Sequence, residues 1–318
     1  MFRTELNISP YNFTISHNST IVSIGSCFAD MIGKQFEKYK FNVLSNPFGN
    51  IYNPLSLHRL FKNHEFLTNS YIERDGCYFS PHLHSEIFAH SQEELSEIIR
   101  TKKQTFDLKI ENADTLILTY GTAWVYQTKA NSEIVANCHK LPQHLFEKKL
   151  LSVDEMVDDF KKLALSIKDF NKKRIIVTVS PVMHIKDTLS LNNVSKSSLR
   201  LFVHQIENAF ENVHYFPAFE LVNDDLRDYR FFKSDMIHPN EQAEEYVWKK
   251  FTQAVFDANT HNFVKNWDEI LSAKAHKPFN PTSETHQKFL KSQIAKLESL
   301  SSQTNVSEEI GFFKKQLI

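Results

Sequence analysis

A shortage of cysteine, of net charge and of long apolar runs limits what this chain can be. Its three cysteines, Cys27, Cys77 and Cys138, are odd in number and form no Cys-x-x-Cys pair, which argues against a disulfide framework and a zinc site. The formal net charge is −1, so we expect no nucleic-acid partner. No segment approaches bilayer-spanning length, and the first residues lack the charged and apolar regions of a secretion signal. We therefore expect a cytoplasmic protein without a membrane partner.

Glycine is scarce as well, whereas phenylalanine is abundant. The sequence has 6 glycines and 27 phenylalanines, which indicates an aromatic-rich core with few close backbone approaches. Each glycine that lies in a motif is therefore informative. A chain of 318 residues can bury a large core without disulfide or metal cross-links, and we expect neither a metal nor a cofactor.

Four short apolar runs rich in β-branched residues predict buried strands, and amphipathic segments with helical spacing separate them. This alternation predicts an α/β fold with a parallel sheet covered by helices on both faces. A further strand at residues 71–79 and a hairpin formed by residues 124–126 and 133–136 are also predicted. The buried strands are residues 21–24, 115–120, 174–179 and 213–216, and the helices are residues 27–39, 54–62, 91–109, 152–170, 196–210 and 241–256.

The character of the chain changes near residue 259. Residues 1–258 form the predicted α/β domain, and residues 259–318 form a predicted C-terminal helical extension with polar helices at 267–274 and 284–301. Apolar residues in this extension have heptad-like spacing, at Phe289, Ile294, Leu297 and Leu300. Two alternatives follow: the helices lie across the core, or they pair with another chain and give an oligomer.

A serine stands at the first predicted strand-to-helix corner. The run from Ile21 to Ile24 leads into Gly25 and Ser26, and a helix pattern begins at Cys27. Such a corner presents the hydroxyl while the N–H groups of the helix start point towards any anion beside it. The alternative is that Gly25 and Ser26 form an ordinary turn with Ser26 as the helix N-cap.

An aspartate and a histidine three residues apart occur near the other end of the predicted domain. Asp235 and His238 lie just before the last amphipathic helix of that domain, and Pro239 stiffens the turn. Their spacing lets the carboxylate reach the imidazole, as it does in a Ser-His-Asp triad. Alternatively, Asp235 is a turn residue and His238 an ordinary loop histidine.

Several separate motifs resemble those of a known family. Gly25–Ala29 is identified as the signature of the GSCFA family, which resembles the SGNH/GDSL hydrolase superfamily. The resemblance covers about residues 20–255 and continues through Asn46–Gly49, Gly121–Trp124, Ser180–Val182 and Asp235–Pro239. It implies a three-layer α/β/α sandwich with a flavodoxin-like strand order. Proteins that resemble SGNH hydrolases include esterases, lipases, carbohydrate deacetylases and acetyltransferases.

The resemblance also implies roles for individual residues. Ser26 matches the nucleophile, Asp235 and His238 match the acid–base pair, and the N–H of Gly49 would hold the oxyanion together with the backbone from Gly25 to Cys27. The third motif of the superfamily, Gly-x-Asn, here reads Gly121-Thr122-Ala123, so the amide donor is missing. Losing one such donor costs about 2.7–4 kcal/mol of transition-state stabilisation. The candidate replacements are Thr122, Asn46, Asn50, Asn137 and His139.

Two other side chains near these motifs have competing interpretations. Cys27 follows Ser26 and is a rival nucleophile, but a cysteine that begins a helix is expected to turn inwards as a small buried thiol. His184 follows a predicted strand end, where it either contacts substrate or is an ordinary loop histidine.

Three functions remain open at this point. The first is a serine esterase that hydrolyses a small acyl ester, for which an O-acetyl group on a carbohydrate is one candidate. The second is an O-acyltransferase to a sugar hydroxyl, with residues 124–140 as an acceptor shelf. The third is a non-catalytic module that binds an ester or carbohydrate, suggested by Ala123 in place of asparagine.

Overall fold

The computed structural model describes residues 3–318. Its strands, in chain order, are β1 (Thr20–Gly25), β2 (Asn42–Ser45), β3 (Ile72–Arg74), β4 (Cys77–Phe79), β5 (Phe88–Ala89), β6 (Thr115–Tyr120), β7 (Trp124–Thr128), β8 (Ile134–Val135), β9 (Phe146–Leu150), β10 (Arg174–Val179) and β11 (Val213–Tyr215). Its α-helices are α1 (Cys27–Lys38), α2 (Pro54–Arg59), α3 (His64–Leu67), α4 (Gln92–Asn112), α5 (Val153–Ser166), α6 (Thr188–Ala209), α7 (Ala218–Glu220), α8 (Glu241–Val255), α9 (Ala258–Ala275), α10 (Glu284–Leu300) and α11 (Ser307–Lys314).

Five parallel strands form the central sheet in the order β2-β1-β6-β10-β11. Counted along the chain within this sheet, the order is 2-1-3-4-5, which is the flavodoxin-like order. The predicted α/β/α sandwich is confirmed. In this topology the order reverses between β1 and β6, and a crevice opens there beyond the carboxyl ends of the strands. The corner after β1 therefore faces the segment that follows β6.

Alternate residues of the central strands supply two separate cores. Val22 and Ile24 of β1 point to one face, where they share a core with the buried sides of α4, α5 and α6. Ile21 of β1 and Ile117 of β6 point to the opposite face, which is covered by α1 and α8. Because both faces are buried, these strands need nearly continuous apolar residues, which explains why their runs stand out in the sequence.

The C-terminal helices pack onto the same face as α1. Trp267 of α9 is fully buried, and its indole N–H donates to the carbonyl oxygen of Lys38 over 2.8 Å. Leu290 of α10 and Phe313 of α11 belong to the same core as Phe36 of α1. These helices therefore take part in the second core of the α/β fold.

Two small antiparallel sheets flank the central one. The segment 71–79, predicted as one strand, forms the hairpin of β3 and β4, because Asp75 and Gly76 adopt positive φ and reverse the chain. β5 completes this sheet. The predicted hairpin of β7 and β8 is present, and β9 pairs with the other edge of β7. No helix within residues 3–318 is long and apolar enough to cross a bilayer.

Candidate active site

The corner after β1 is held tightly against β6. Gly25 has a φ of +139°, and a Cβ at this position would lie 2.1 Å from the carbonyl oxygen of Thr119. Its own carbonyl accepts the N–H of Ile51 at 2.8 Å, and the next N–H, that of Ser26, donates to Thr119 O at 3.1 Å. Glycine is therefore required here on both steric and conformational grounds, and the position of Ser26 is set by its neighbours in the sheet.

Ser26 is the N-cap residue of α1. Its Oγ accepts the N–H of Phe28 at 3.4 Å, and the residue is only 1% exposed. The N–H of Cys27, the first residue of the helix, has no intrahelical acceptor, as the geometry of a helix start dictates. Of the two roles considered for Ser26, the capping role is therefore observed, whereas its hydroxyl is buried, beside the N–H of Cys27.

Asp235 and His238 form a bonded pair on the loop before α8. Asp235 Oδ2 lies 2.7 Å from His238 Nδ1, and Oδ1 accepts the N–H groups of Ile237 at 2.9 Å and His238 at 3.0 Å. These two backbone hydrogen bonds, followed by the side-chain bond to His238, lower the pKa of Asp235 to about 2. The carboxylate is therefore ionised at neutral pH and favours a proton on Nδ1, which leaves Nε2 free to accept one.

The pair and the serine are not hydrogen-bonded to each other. Within residues 3–318 the partner of Ser26 Oγ is the Phe28 N–H, and no bond joins it to His238. The environments also differ, since the His238 side chain is 43% exposed whereas Ser26 is buried. His184 lies near both, because its Nε2 approaches Ser26 across Gly121 and the charge of His238 contributes to lowering its pKa.

The second motif supports the corner through its own internal bonds. Asn46 Oδ1 accepts the N–H of Gly25 at 2.8 Å, while its Nδ2 donates to Asp30 Oδ1 at 2.7 Å and to Asn50 Oδ1 at 2.9 Å. The N–H of Gly49 donates to the Asn46 carbonyl at 2.9 Å. Two of the groups proposed as oxyanion donors from the sequence, the Asn46 amide and the Gly49 N–H, thus already have protein acceptors.

The backbone donors of the third motif also have internal acceptors. The N–H groups of Gly121 and Thr122 both donate to the carbonyl of Tyr52, at 2.7 and 3.1 Å. The Thr122 hydroxyl lies 3.0 Å from Ser195 Oγ, and Ala123 N–H donates to the same Oγ at 2.7 Å. Gly121 itself borders Ser26: a Cβ added there would lie 3.3 Å from Ser26 Cβ, Tyr52 Cβ and His184 Nε2.

Asn137 and His139 hold a different loop. Asn137 Oδ1 accepts the N–H of His139 at 2.8 Å, and His139 Nε2 lies 2.8 Å from the carbonyl of Ser80. Burial lowers the pKa of His139 to about 4, so its ring is neutral at neutral pH. Neither side chain is hydrogen-bonded to Ser26; they brace the loop that runs from β4 towards Gly49.

Cys27, the rival nucleophile, is half-buried. Burial raises the pKa of its thiol, and the carboxylate of Asp30 raises it further. A thiol in such surroundings keeps its proton at neutral pH and is a poor nucleophile.

Lys196 is a site residue that the sequence reasoning missed. It is 2% exposed, and its Nζ donates to the carbonyl oxygens of Gly121 at 2.6 Å and Ser180 at 2.7 Å. Burial lowers the pKa of this amine to about 7. A signal was present, because Lys196 precedes the buried Leu199 by three positions and so falls on the core face of α6.

Two family models match the chain. The model described as the GSCFA family matches residues 20–251, which is more than half of the chain. A second model, described as GSCFA domain protein, C-terminal domain, matches residues 267–318. The chain has no detectable similarity to a protein of curated function.

Proposed function

The chain belongs to the GSCFA family, and on this premise we propose that it is a serine hydrolase that cleaves a small acyl ester. Ser26 is the nucleophile, His238 the base and Asp235 the carboxylate that orients His238. The observation that carries this proposal is the 2.7 Å contact between Asp235 Oδ2 and His238 Nδ1, which leaves Nε2 as a proton acceptor.

The reaction follows the chemistry of an acyl-enzyme. Ser26 Oγ attacks the ester carbonyl while His238 Nε2 takes the hydroxyl proton, and a tetrahedral oxyanion forms. The C–O bond to the alcohol then breaks, and His238 returns the proton to the departing alkoxide. Water, deprotonated by the same imidazole, attacks the acyl-enzyme. The bond between the acyl carbon and Ser26 Oγ then breaks, His238 returns the proton to that oxygen, and the acid is released. The N–H of Cys27, at the positive end of α1, is one donor to the oxyanion.

The surroundings of Ser26 favour a short acyl group. A Cβ on Gly121 would lie 3.3 Å from Ser26, Tyr52 and His184, so little space is left on this side of the serine. An acetyl group suits such a space better than a long chain. Trp124, the start of the sheet predicted as an acceptor shelf, lies only three positions from Gly121, which supports a carbohydrate as the alcohol.

We further propose that substrate binding brings His238 onto Ser26. The Asp235–His238 pair sits on an exposed loop that is tied at its base by the bridge between Phe232 and Pro239. Catalytic hydrogen bonds are often open in a free enzyme and close in the substrate complex. Closure over the ester would also exclude water from the buried serine.

Intact-mass labelling with a fluorophosphonate tests this proposal, because the reagent reacts with activated serines and not with ordinary ones. One adduct is expected on the wild type and none on Ser26→Ala or His238→Ala. Ser180→Ala is the matched serine control, since Ser180 is also buried at a strand end and its Oγ accepts the N–H of Val182 at 3.3 Å. His204→Ala, on the exposed side of α6, is the histidine control. Both controls should keep the adduct.

The outcomes separate the three functions considered from the sequence. An adduct on Ser26 together with release of free acetate from an acetylated sugar supports hydrolysis. Faster appearance of an acylated acceptor sugar than of acetate would instead indicate an acyltransferase. No adduct on the wild type, with retained binding of an acetylated sugar, would contradict the proposal and favour a binding module.

A further inference from the structure

The oxyanion donors expected from the motifs are occupied. Ser26 N–H donates to Thr119 O, Gly49 N–H to Asn46 O, and Gly121 N–H to Tyr52 O. The amide of Asn46 is shared between Asp30 and Asn50. The N–H of Cys27 is therefore left without a second donor beside it to stabilise the oxyanion. Loss of one oxyanion donor costs about 10²- to 10³-fold in kcat.

One side chain presents a nitrogen to the space where that oxyanion would form. A Cβ on Gly121 would lie 3.3 Å from each of Ser26 Cβ, Tyr52 Cβ and His184 Nε2, so the imidazole nitrogen lies close to the serine. The oxyanion of a tetrahedral carbon bonded to Ser26 Oγ can therefore come within hydrogen-bonding distance of His184 Nε2.

We propose that His184 donates a hydrogen bond from Nε2 to the tetrahedral oxyanion formed on Ser26, and that Gly121 is glycine because a Cβ there would press on both the serine and this imidazole. This inference rests on the proposed function and adds a residue to the reaction. It assigns to a histidine after β10 the role that the missing amide of the third motif would have had.

The imidazole is held for this role and not engaged elsewhere. Its backbone N–H donates to Asn192 Oδ1 at 2.9 Å, and its ring packs edge-on to Tyr52 with centroids 5.5 Å apart. Within residues 3–318 neither ring nitrogen has a hydrogen-bond partner. The ring orientation is thus set by packing, while both nitrogens are left for a ligand and water.

The electrostatic surroundings keep the ring a donor and prevent it from acting as a second base. Burial, with the neighbouring Lys196, lowers the pKa of His184 to about 4. A neutral imidazole carries one N–H, and with the proton on Nε2 it can hydrogen-bond a developing anion without transferring its proton. His238, bonded to Asp235, remains the group that accepts the serine proton.

Steady-state hydrolysis of a short-chain ester by His184→Phe, His184→Asn and Gly121→Ala tests the proposal. Phe keeps the ring volume without a donor, Asn restores a donor, and Gly121→Ala places a methyl group against Ser26 Cβ and His184 Nε2 while keeping the imidazole. His214→Phe, whose ring packs on Tyr11 and Phe13, and Gly311→Ala, where an added Cβ meets nothing within 4 Å, are the matched controls. Thermal unfolding of each variant reports whether it is folded.

The expected result is a loss of about 10²- to 10³-fold in kcat for His184→Phe and for Gly121→Ala, with KM little changed. His184→Asn should recover part of that loss, and the controls should match the wild type. Wild-type kcat in folded His184→Phe, or His184→Asn no better than His184→Phe, would overturn the inference. If His184→Phe does not fold, the kcat of Gly121→Ala alone decides, and full activity of that variant overturns the inference.

The activity of Ser26→Ala distinguishes failure of this inference from failure of the proposed function. Loss of hydrolysis in Ser26→Ala with full activity in His184→Phe leaves the esterase standing and removes only the role of His184. Full activity in Ser26→Ala removes the proposed function and this inference together.

Discussion

Lys196 Nζ lies 2.6 Å from the carbonyl oxygen of Gly121, and the same nitrogen lies 2.7 Å from the carbonyl oxygen of Ser180. These carbonyls follow β6 and β10, whose carboxyl ends border the serine corner. One buried amine therefore ties together two strand ends directly behind the candidate site. The position of Gly121, and with it the packing beside Ser26, depends on this contact.

Lys196→Met is expected to lower both stability and activity. It leaves two buried carbonyls without a donor, at a cost of about 1–3 kcal/mol each, and it frees Gly121 to move. Urea unfolding and ester hydrolysis measure the two effects. Lys173→Met is the matched control, because Lys173 is also buried and donates to two carbonyls, of Glu111 and Ala113, at the opposite end of the sheet. A kcat that falls as much in the control as in Lys196→Met would contradict a role in the site.

Asp235→Asn is expected to lower kcat by about 10²- to 10⁴-fold with little change in unfolding midpoint. The amide cannot favour the Nδ1–H tautomer of His238 as a carboxylate does. Asp228→Asn is a suitable comparison, since Asp228 is in the same region and accepts the backbone N–H of Arg230 at 2.9 Å, without contacting His238. Equal kcat for wild type and Asp235→Asn would show that the pair does not serve catalysis.

Gly25→Ala is expected to be far more harmful than Gly76→Ala. Both glycines have positive φ, +139° at Gly25 and +74° at Gly76, so alanine strains the backbone at each. Only at Gly25 does the added Cβ also collide, 2.1 Å from Thr119 O, whereas nothing lies within 4 Å of it at Gly76. Gly76→Ala should cost about 1–2 kcal/mol, and Gly25→Ala should cost more and displace Ser26. Thermal unfolding and fluorophosphonate labelling of both variants test this, and equal losses would argue against the packing described.

Stability should fall as the pH drops from about 6.5 to about 4. Burial is the main cause that lowers the pKa of His82, His139 and His184 from 6.5 to about 4. In this window the unfolded chain binds protons at these rings and the native state does not, so the free energy of unfolding decreases with falling pH. Each ring contributes a slope of at most about 1.4 kcal/mol per pH unit. Urea unfolding across this range measures the slope, which His139→Phe should reduce; an unchanged slope would contradict the buried neutral state of that ring.

The strands of the central sheet can be predicted from the sequence, with the exception of β2. β1, β6, β10 and β11 are predicted because strands covered on both faces need unbroken apolar runs. β2 is not predicted, because it is an edge strand whose residues, Asn42–Ser45, are exposed or half-buried and form no apolar run. The start of α6 at Thr188 is missed for a similar reason, since Leu189, Leu191 and Val194 are exposed and blur the helical pattern.

At the candidate site, the contacts that sequence predicts are the local ones. Asp235 and His238 meet because they are three residues apart in one turn, and Ser26 caps a helix because it precedes one. His184 and Gly121 are far apart along the chain and meet because β10 and β6 are neighbours in the sheet. That adjacency follows from the strand order, which spacing and composition do not reveal, and the same is true of Lys196.

The packing of the last helices on α1 also sets an order of events during synthesis. The bond from Trp267 to Lys38 spans 229 residues. At about 5–20 residues per second, a ribosome needs on the order of ten seconds or more to make that stretch. Throughout this interval the face of α1 that carries Phe36 lacks the cover of the last helices, and it offers a surface to chaperones and to other nascent chains. The serine corner is thus made well before the helices that complete its final surroundings.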